Sequence, residues 1–394
     1  MDNVTHSLIG IAAAELFLTT RPKRPARDRV PLWIASAAAN NLPDLDIVLS
    51  LGGKSDRLDS LLQHRGYTHT LILAPLQGLL LLCILWFLWR RREGYPWKEI
   101  SILCLTGPLL HVLADSWNIY GVHPFWPWNN QWFYGDMIFI IEPWLWLALL
   151  PLVWKRAESR VGRAVPLLLL AIILLVSWLH PFVQLAPTLA ITAGAAAWLY
   201  AQVKIRDNRL RLLGAFLICS FAFGLFGLAQ FTVRNHFLQR GGGEIAIMTY
   251  PANPFCAAVV TAGFDGNDYR ASQWIAAPWP KLVKASSCIN FAEKETSANL
   301  QPISDAVAND GFVPVGKFQS SKAEFDRLAA SCRGRAFLRF ARIPFWFQLE
   351  GRDYFGDLRF DRDRSIEMAE VPLGADLGCP RWEPPWTGRF FPAP

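Results

Sequence analysis

The chain has 394 residues, which leaves room for two domains. Hydrophobic residues make up 52% of it, with 18 Trp and 26 Phe, and this excludes an ordinary soluble protein. The formal charge of +7 is not a nucleic-acid footprint: residues 236–394 balance 18 Lys/Arg against 18 Asp/Glu, so the whole excess lies in the first 235 residues, between apolar runs.

In chain order, the apolar runs predict about eight transmembrane helices: Val4–Thr20, Leu32–Leu51, Thr70–Trp89, Ile100–Trp117, Met137–Trp154, Pro166–Leu179, Pro187–Val203 and Leu212–Phe231. The first, second and fourth are weaker because polar motifs interrupt them. Basic clusters follow the first, third, fifth and seventh runs: Arg21/Lys23/Arg24/Arg27/Arg29, Arg90/Arg91/Arg92/Lys98, Lys155/Arg156/Arg160/Arg163 and Lys204/Arg206/Arg209/Arg211. Residues 118–136 and 181–186 carry no Lys or Arg. By the positive-inside rule both termini then lie outside the cytoplasm, in a multi-pass inner-membrane protein. The start Met-Asp-Asn-Val has no basic region, so no cleavable signal peptide is expected.

The expected architecture is a polytopic all-α membrane domain over 1–235, followed by a small β-rich or α+β extracytoplasmic domain over 236–394. Gly241-Gly242-Gly243 introduces the second part. Ala257–Thr261, Ala336–Ile343 and Phe345–Leu349 read as strands, with turn chemistry at Asp265-Gly266 and Glu350-Gly351. Cys256, Cys288, Cys332 and Cys379 allow three disulfide pairings, or free thiols.

Five of the seven histidines fall in the first 123 residues, in short polar constellations set into apolar sequence. Unpaired charges and imidazoles are costly there, so the pattern asks for a metal. His111 and Asp115 are four apart, on one helical face, and suit either coordination of one ion or a hydrogen bond tying helices together. His64 and His69 flank Gly66, which places His64 in a loop and His69 near a helix start. Thr5-His6-Ser7-Leu8-Ile9 and Thr68-His69-Thr70-Leu71-Ile72 nearly match, and suggest two helices, each capped by its Thr, that present a His from the first turn. Pro43-Asp44-Leu45-Asp46 supplies carboxylates for a metal or, alternatively, for a polar kink at the water interface. Arg65 suits an anionic phosphate or a lipid headgroup. His123 and Glu142 are further candidates for a second ion, whereas His180 and His236 read as interface histidines. On the charge-derived topology, four separate segments deliver these groups to the outer membrane face.

Thr5-His6, Pro43-Asp44-Leu45-Asp46, His64-Arg65-Gly66-Tyr67-Thr68-His69 and His111-x-x-x-Asp115 form an ordered set. With it, residues 1–150 resemble the YdjM/YbcI-like family of inner-membrane, metal-dependent hydrolases. Phe337–Phe345 through Asp357–Phe360 look like the periplasmic extension of its longer members. A looser similarity to zinc-dependent phospholipase C and P1-type nucleases rests on His111 and Asp115 alone, and it implies phosphoester chemistry.

The resulting expectation is one to three divalent ions, Zn²⁺ first and Mn²⁺ or Fe²⁺ next, held by His6, Asp44, His64, His69, His111 and Asp115. Asp46 is the expected base or bridging carboxylate, and Arg65 the group that neutralises developing phosphoryl charge. The expected partners are the lipid bilayer and an amphiphilic phosphate-containing substrate, with no nucleic acid. The chain has no His-Glu-x-x-His, Gly-x-Ser-x-Gly or P-loop motif, which disfavours zincin, serine-hydrolase and NTPase chemistry. Two alternatives use the same cluster: an ion- or proton-coupled transporter, and a non-catalytic, metal-stabilised membrane protein.

Overall fold

The computed structural model describes residues 1–20, 28–47, 56–179, 183–241, 243–288, 300–303, 311–361 and 368–390. A helical N-terminal region is followed by a part that contains two β-sheets. His180, the Arg21–Arg27 portion of the first basic cluster and the end of the Leu32–Leu51 run lie outside the described residues.

The helices are α1 (Asn3–Thr20), α2 (Arg29–Asn41), α3 (Arg57–Gln63), α4 (Ala74–Trp89), α5 (Trp97–Asp115), α6 (Pro143–Arg156), α7 (Arg160–Leu179), α8 (Leu185–Lys204) and α9 (Asn208–Leu238). Every predicted apolar run contributes a helix, yet the expected count of about eight crossings is not met. Among the described residues α7 and α9 are long and apolar enough to cross a membrane. A third crossing is counted if residues 57–69 and α4, bent by 78°, form one broken span. Helix length explains much of the shortfall. With 13 and 14 residues, α2 and α6 rise only about 20 Å at ~1.5 Å per residue, against a hydrocarbon core of about 30 Å. The polar motifs that build the site also lower the hydropathy of α1 and α5.

Close helix approach sets the geometry of the N-terminal bundle. A Cβ on Gly10 of α1 would meet Ser36 O of α2 at 2.6 Å, and one on Gly107 of α5 would meet Ala39 Cβ at 2.4 Å. A Cβ on Gly78 of α4 would lie 2.1 Å from Cys104 O of α5. Backbones this close need the missing side chain, as at packed membrane-helix interfaces. The contacts bring the C-terminal end of α2 beside the last turns of α5. At the far end of α1 the buried Glu15, not singled out in the sequence, accepts from Trp33 Nε1 at 2.9 Å and pairs with Arg29 and Arg156.

Two capping expectations are corrected. Asp2, not Thr5, caps α1, its Oδ1 accepting from Val4 N at 3.0 Å and Thr5 N at 2.9 Å. Thr68 caps nothing: Tyr67–His69 is a 3-10 turn and α4 begins only at Ala74, next to Pro75.

The strands are β1 (Glu244–Tyr250), β2 (Asn253–Asp265), β3 (Asp268–Ala276), β4 (Gln301–Pro302), β5 (Phe312–Ser321), β6 (Pro344–Leu349), β7 (Arg352–Asp357) and β8 (Glu370–Pro372). They form antiparallel sheets of order β1-β2-β3-β5-β4 and β6-β7-β8. Asp265-Gly266 turns β2 into β3, and Glu350-Gly351, both at positive φ, turns β6 into β7 as a two-residue hairpin requires. Ala336–Ile343 is not a strand. Ser331 caps the short helix α11 (Cys332–Phe337), which follows α10 (Lys322–Ala329), and the chain then turns into β6. Nearly every residue of 336–343 is buried, so its apparent alternation carried no facing information. Disulfides join Cys256 to Cys288 and Cys332 to Cys379.

One core crosses from the helical region into the β-containing part. Leu58, Leu61 and Leu62 of α3, with Tyr120 and Trp132, pack in one cluster with Phe337, Phe340, Phe345 and Phe355. Buried ion pairs reinforce it. Arg342 binds both oxygens of Asp136 at 2.7 and 2.9 Å, and Arg359 donates to the carbonyls of Ile119 at 2.9 Å and Tyr120 at 3.2 Å.

Candidate metal centre

Four segments meet at one point, as their motifs suggested. The first turn of α1 carries His6, and the 3-10 turn Pro43–Leu45 with its cap carries Asp44 and Asp46. The bend between α3 and α4 carries His64, Arg65 and His69, and the last two turns of α5 carry His111 and Asp115. His6, His69, His111 and Asp115 are fully buried.

The inner group is Asp44, His69, His111 and Asp115, whose ligand atoms all lie within 4.8 Å of one another. His69 Nε2 is 3.1 Å from His111 Nε2, 3.4 Å from Asp44 Oδ1 and 3.3 Å from Asp115 Oδ2. His111 Nε2 is 3.5 Å from Asp44 Oδ1 and 3.4 Å from Asp115 Oδ2. A tetrahedron with metal–ligand bonds of about 2.0–2.1 Å has edges of about 3.3–3.4 Å, so these distances fit one.

Proton placement points the same way. His111 Nδ1 lies 2.6 Å from the carbonyl of Asn40, which can only accept, so Nδ1 carries the proton and Nε2 presents a lone pair. His69 Nδ1 lies 3.0 Å from Thr68 Oγ1, which donates to Asp46 at 2.8 Å, so this ring is oriented by a hydroxyl–carboxylate relay. Two imidazole lone pairs and two carboxylates therefore converge with no donor among them. Among the described residues Asp115 Oδ2 accepts no hydrogen bond although it is buried. The Met1 amine and Arg65 offset part of the Asp115 charge from its other oxygen, the converging lone pairs still favour a cation, and the buried Asp/His cluster can hold a metal ion.

His6 stacks on His111 at 3.7 Å, with Nε2 3.3 Å from Asp115 Oδ1. Among the described residues neither of its ring nitrogens has a hydrogen-bond partner. The Met1 amine also contacts Asp115. An outer group, Asp44, Asp46 and His64, shares Asp44 with the inner one. His64 Nδ1 is 3.1 Å from Asp46 Oδ1, and its side chain is 23% exposed.

Arg65 has a left-handed backbone, φ 57°, which a residue with a Cβ adopts only under constraint. Asp46 supplies that constraint by accepting Arg65 N–H at 2.9 Å. The guanidinium donates to Asp115, Asn118 and the Gly121 carbonyl, each at 3.1 Å, and stacks over Tyr120 at 4.5 Å. Burial raises the Tyr120 phenol, which stays neutral beneath it.

His123 and Glu142 do not join the cluster. His123 donates from Nε2 to Gly66 O at 3.1 Å and stacks on Trp386, and burial pushes its imidazole down to about 3, keeping it neutral. Glu142 caps α6 through Trp144 N and accepts Ala252 N–H at 3.2 Å. His236 stacks on Phe312. The sequence reading missed the orienting Asn40 carbonyl, Asn118 and Tyr120. It also missed Asp136, Arg342 and Arg359, whose one visible signal was charge inside strongly apolar stretches.

A cavity of about 320 Å³ opens beside the outer group, lined by Met1, His64 and Arg65 and by residues of the β-containing part.

These features define a class: a helical membrane protein with a buried Asp/His cluster able to hold a metal ion. Residues 1–183 match the model of the family described as YdjM inner membrane protein, and this region of the chain belongs to the YdjM-like family. The match contains every ligand motif and stops before the β-sheets. A curated relative, the uncharacterized protein YfhP of Bacillus subtilis (strain 168), is 26% identical over 151 residues. That alignment covers 38% of this chain and 44% of the relative, so the chain spans less than half of the relative's length. No solved structure matches the chain.

Proposed function

We propose that this protein is a membrane-bound, metal-dependent hydrolase that cleaves a phosphoester of a lipid or lipid-linked substrate at the outer membrane–water interface. The observation that carries the reading is the convergence of Asp44, His69, His111 and Asp115, whose Oδ2 has no hydrogen-bond partner among the described residues, next to a cavity that His64 and Arg65 line. Imidazole and carboxylate ligands suit Zn²⁺, with Mn²⁺ or Fe²⁺ next. Asp44 is placed to serve both groups, which supports two ions. When bound, ions of this class acidify water and polarise a phosphoryl oxygen.

The chain's own residues prepare that chemistry. Asp46 orders the bend by holding Arg65 N–H and Thr68 Oγ1, and it keeps the His64 proton on Nδ1. In this role it is a positioning carboxylate, which can reach the cavity only through His64. Arg65 is held through its Nη atoms by Asn118, Gly121 and Asp115, so it acts as a fixed positive charge beside Asp115, with Nε unpaired among the described residues. A multi-pass arrangement with the C-terminal part outside the cytoplasm is supported by the basic clusters and by two disulfides, which persist in oxidising compartments.

A second reading has its own support. The four inner ligands are all buried, and a closed tetrahedral set is the mark of a structural metal, so the inner ion stabilises the bundle while the outer group works on substrate, or no catalysis occurs. Metal content of detergent-purified protein by mass spectrometry, with and without His111→Ala/Asp115→Ala, is the first test. One to three transition-metal ions per chain, lost in the variant, are expected, followed by metal-dependent turnover in a phosphoester screen. Folded wild-type protein that neither contains nor takes up Zn²⁺ or Mn²⁺ refutes the hydrolase. Bound metal with no turnover leaves the structural reading.

A further inference from the structure

Both parts of the chain wall the cavity beside the cluster. Ile138, Phe139 and Ile140, just ahead of α6, form one side, and Met248 of β1 and Met368 form another. His64 and Arg65 stand on the same wall system and also touch the metal cluster, through Asp46 and Asp115 respectively. The apolar space is thus continuous with the polar centre.

We infer that this cavity binds the alkyl or prenyl chain of an anionic lipid phosphate, with the phosphate toward His64 and Arg65, so that Phe139, Met248 and Met368 set substrate preference. The inference rests on the hydrolase reading for its chemistry but not for its binding. Three observations favour this occupant. Ile138, Phe139, Ile140, Met248 and Met368 make a largely apolar wall, with Gln273, Arg359 and Asp361 as its main other polar groups, so a hydrocarbon chain matches most of it better than a fully polar soluble phosphoester does. Methionine side chains are flexible and polarisable, and they adapt to a chain of variable shape. The cavity also adjoins the beginnings of α1 and α6, through Met1 and Ile138–Ile140, where a lipid chain could pass from beside the helices with little exposure to water. Charge adds a condition: Asp44, Asp46 and Asp115 repel a phosphate unless a cation offsets them, so the chain should bind without metal and the headgroup should matter only with it.

The test is photo-crosslinking of the purified full-length chain with a diazirine-bearing dodecyl phosphate, followed by peptide mapping, with Zn²⁺ or with chelator. Label is expected on peptides containing Phe139, Met248 or Met368, and unlabelled dodecyl phosphate should compete where glycerol phosphate does not. Phe139→Trp and Met248→Trp should cut that label about fivefold or more by filling the space, with metal content unchanged, while Met248→Leu keeps it. Label confined to the lipid-facing sides of α7 and α9, or indifferent to the Trp variants, overturns the inference. Cavity labelling without turnover of any phosphoester would sustain it while the hydrolase reading falls. Metal-dependent turnover with an unlabelled cavity would do the reverse.

Discussion

Replacing Asp46 by Asn isolates what its charge does. The carboxylate is 4% exposed; Oδ2 accepts from Arg65 N at 2.9 Å and Thr68 Oγ1 at 2.8 Å, and Oδ1 faces His64 Nδ1 at 3.1 Å. An amide can keep both Oδ2 bonds, so the left-handed bend at Arg65 survives. Its NH₂ then faces His64 and can only donate, which moves the His64 proton from Nδ1 to Nε2 and removes the lone pair that His64 offers a metal. The relay behind His69 also loses its negative end. Loss of such supporting partners typically costs 10–100-fold in metal affinity, about 1.4–2.7 kcal/mol. Asp46→Ala should do more, because it leaves the Arg65 N–H and the Thr68 hydroxyl unsatisfied, at about 1–3 kcal/mol each. Zn²⁺ titration against a competing chelator reads the affinity, and circular dichroism with a thermal ramp reads the fold. Affinity unchanged in Asp46→Asn, or equal unfolding of the Asn and Ala variants, would refute the assignment of Asp46 as the group that sets ligand tautomers.

Arg342→Met should destabilise by about 3–5 kcal/mol, because it removes the bidentate partner of the buried Asp136 and leaves that charge to Arg234; a shift under about 1 kcal/mol in detergent unfolding would contradict a tightly tied junction. Gly78→Leu should push α4 from α5, where even a Cβ meets Cys104 O at 2.1 Å, and lower metal content, whereas Gly224→Leu, with nothing within 4 Å, should leave it intact; equal effects at both sites count against the close-packing argument. Removing the Cys332–Cys379 link, which joins residues 47 apart, should cost about 4 kcal/mol by loop entropy. A thermal midpoint that is lower in a double Cys332→Ser/Cys379→Ser variant than in wild type, both without reductant because the Cys256–Cys288 link would respond to it as well, checks this.

Much of the site was legible because its chemistry is costly where it lies. Histidines and aspartates inside apolar runs must be partnered, so His6, Asp44, His64, His69, His111 and Asp115 stood out, and helical periodicity placed His111 and Asp115 on one face. The helical region followed by β-structure was legible for the same kind of reason: long apolar runs and two-residue turns are local signals. The number of crossings was not, because hydropathy registers burial in lipid and burial in protein alike, and most of α6 is buried within the bundle. Nor could Ala336–Ile343 be told from a strand when nearly all its residues face the core.

Local sequence therefore determined which residues make up the buried Asp/His cluster, since residue type and short spacing set what a side chain can ligate and which helix face it shares. Tertiary structure alone decided how they are used. It set the Asn40 carbonyl against His111, divided the ligands into an inner and an outer group that share Asp44, and tied Arg65 to Asn118 and Tyr120. Arg359, far along the chain, in turn holds the Tyr120 carbonyl. Such choices depend on backbone groups and on contacts between distant segments, and both exist only after the glycine-lined helices have closed to their final separation.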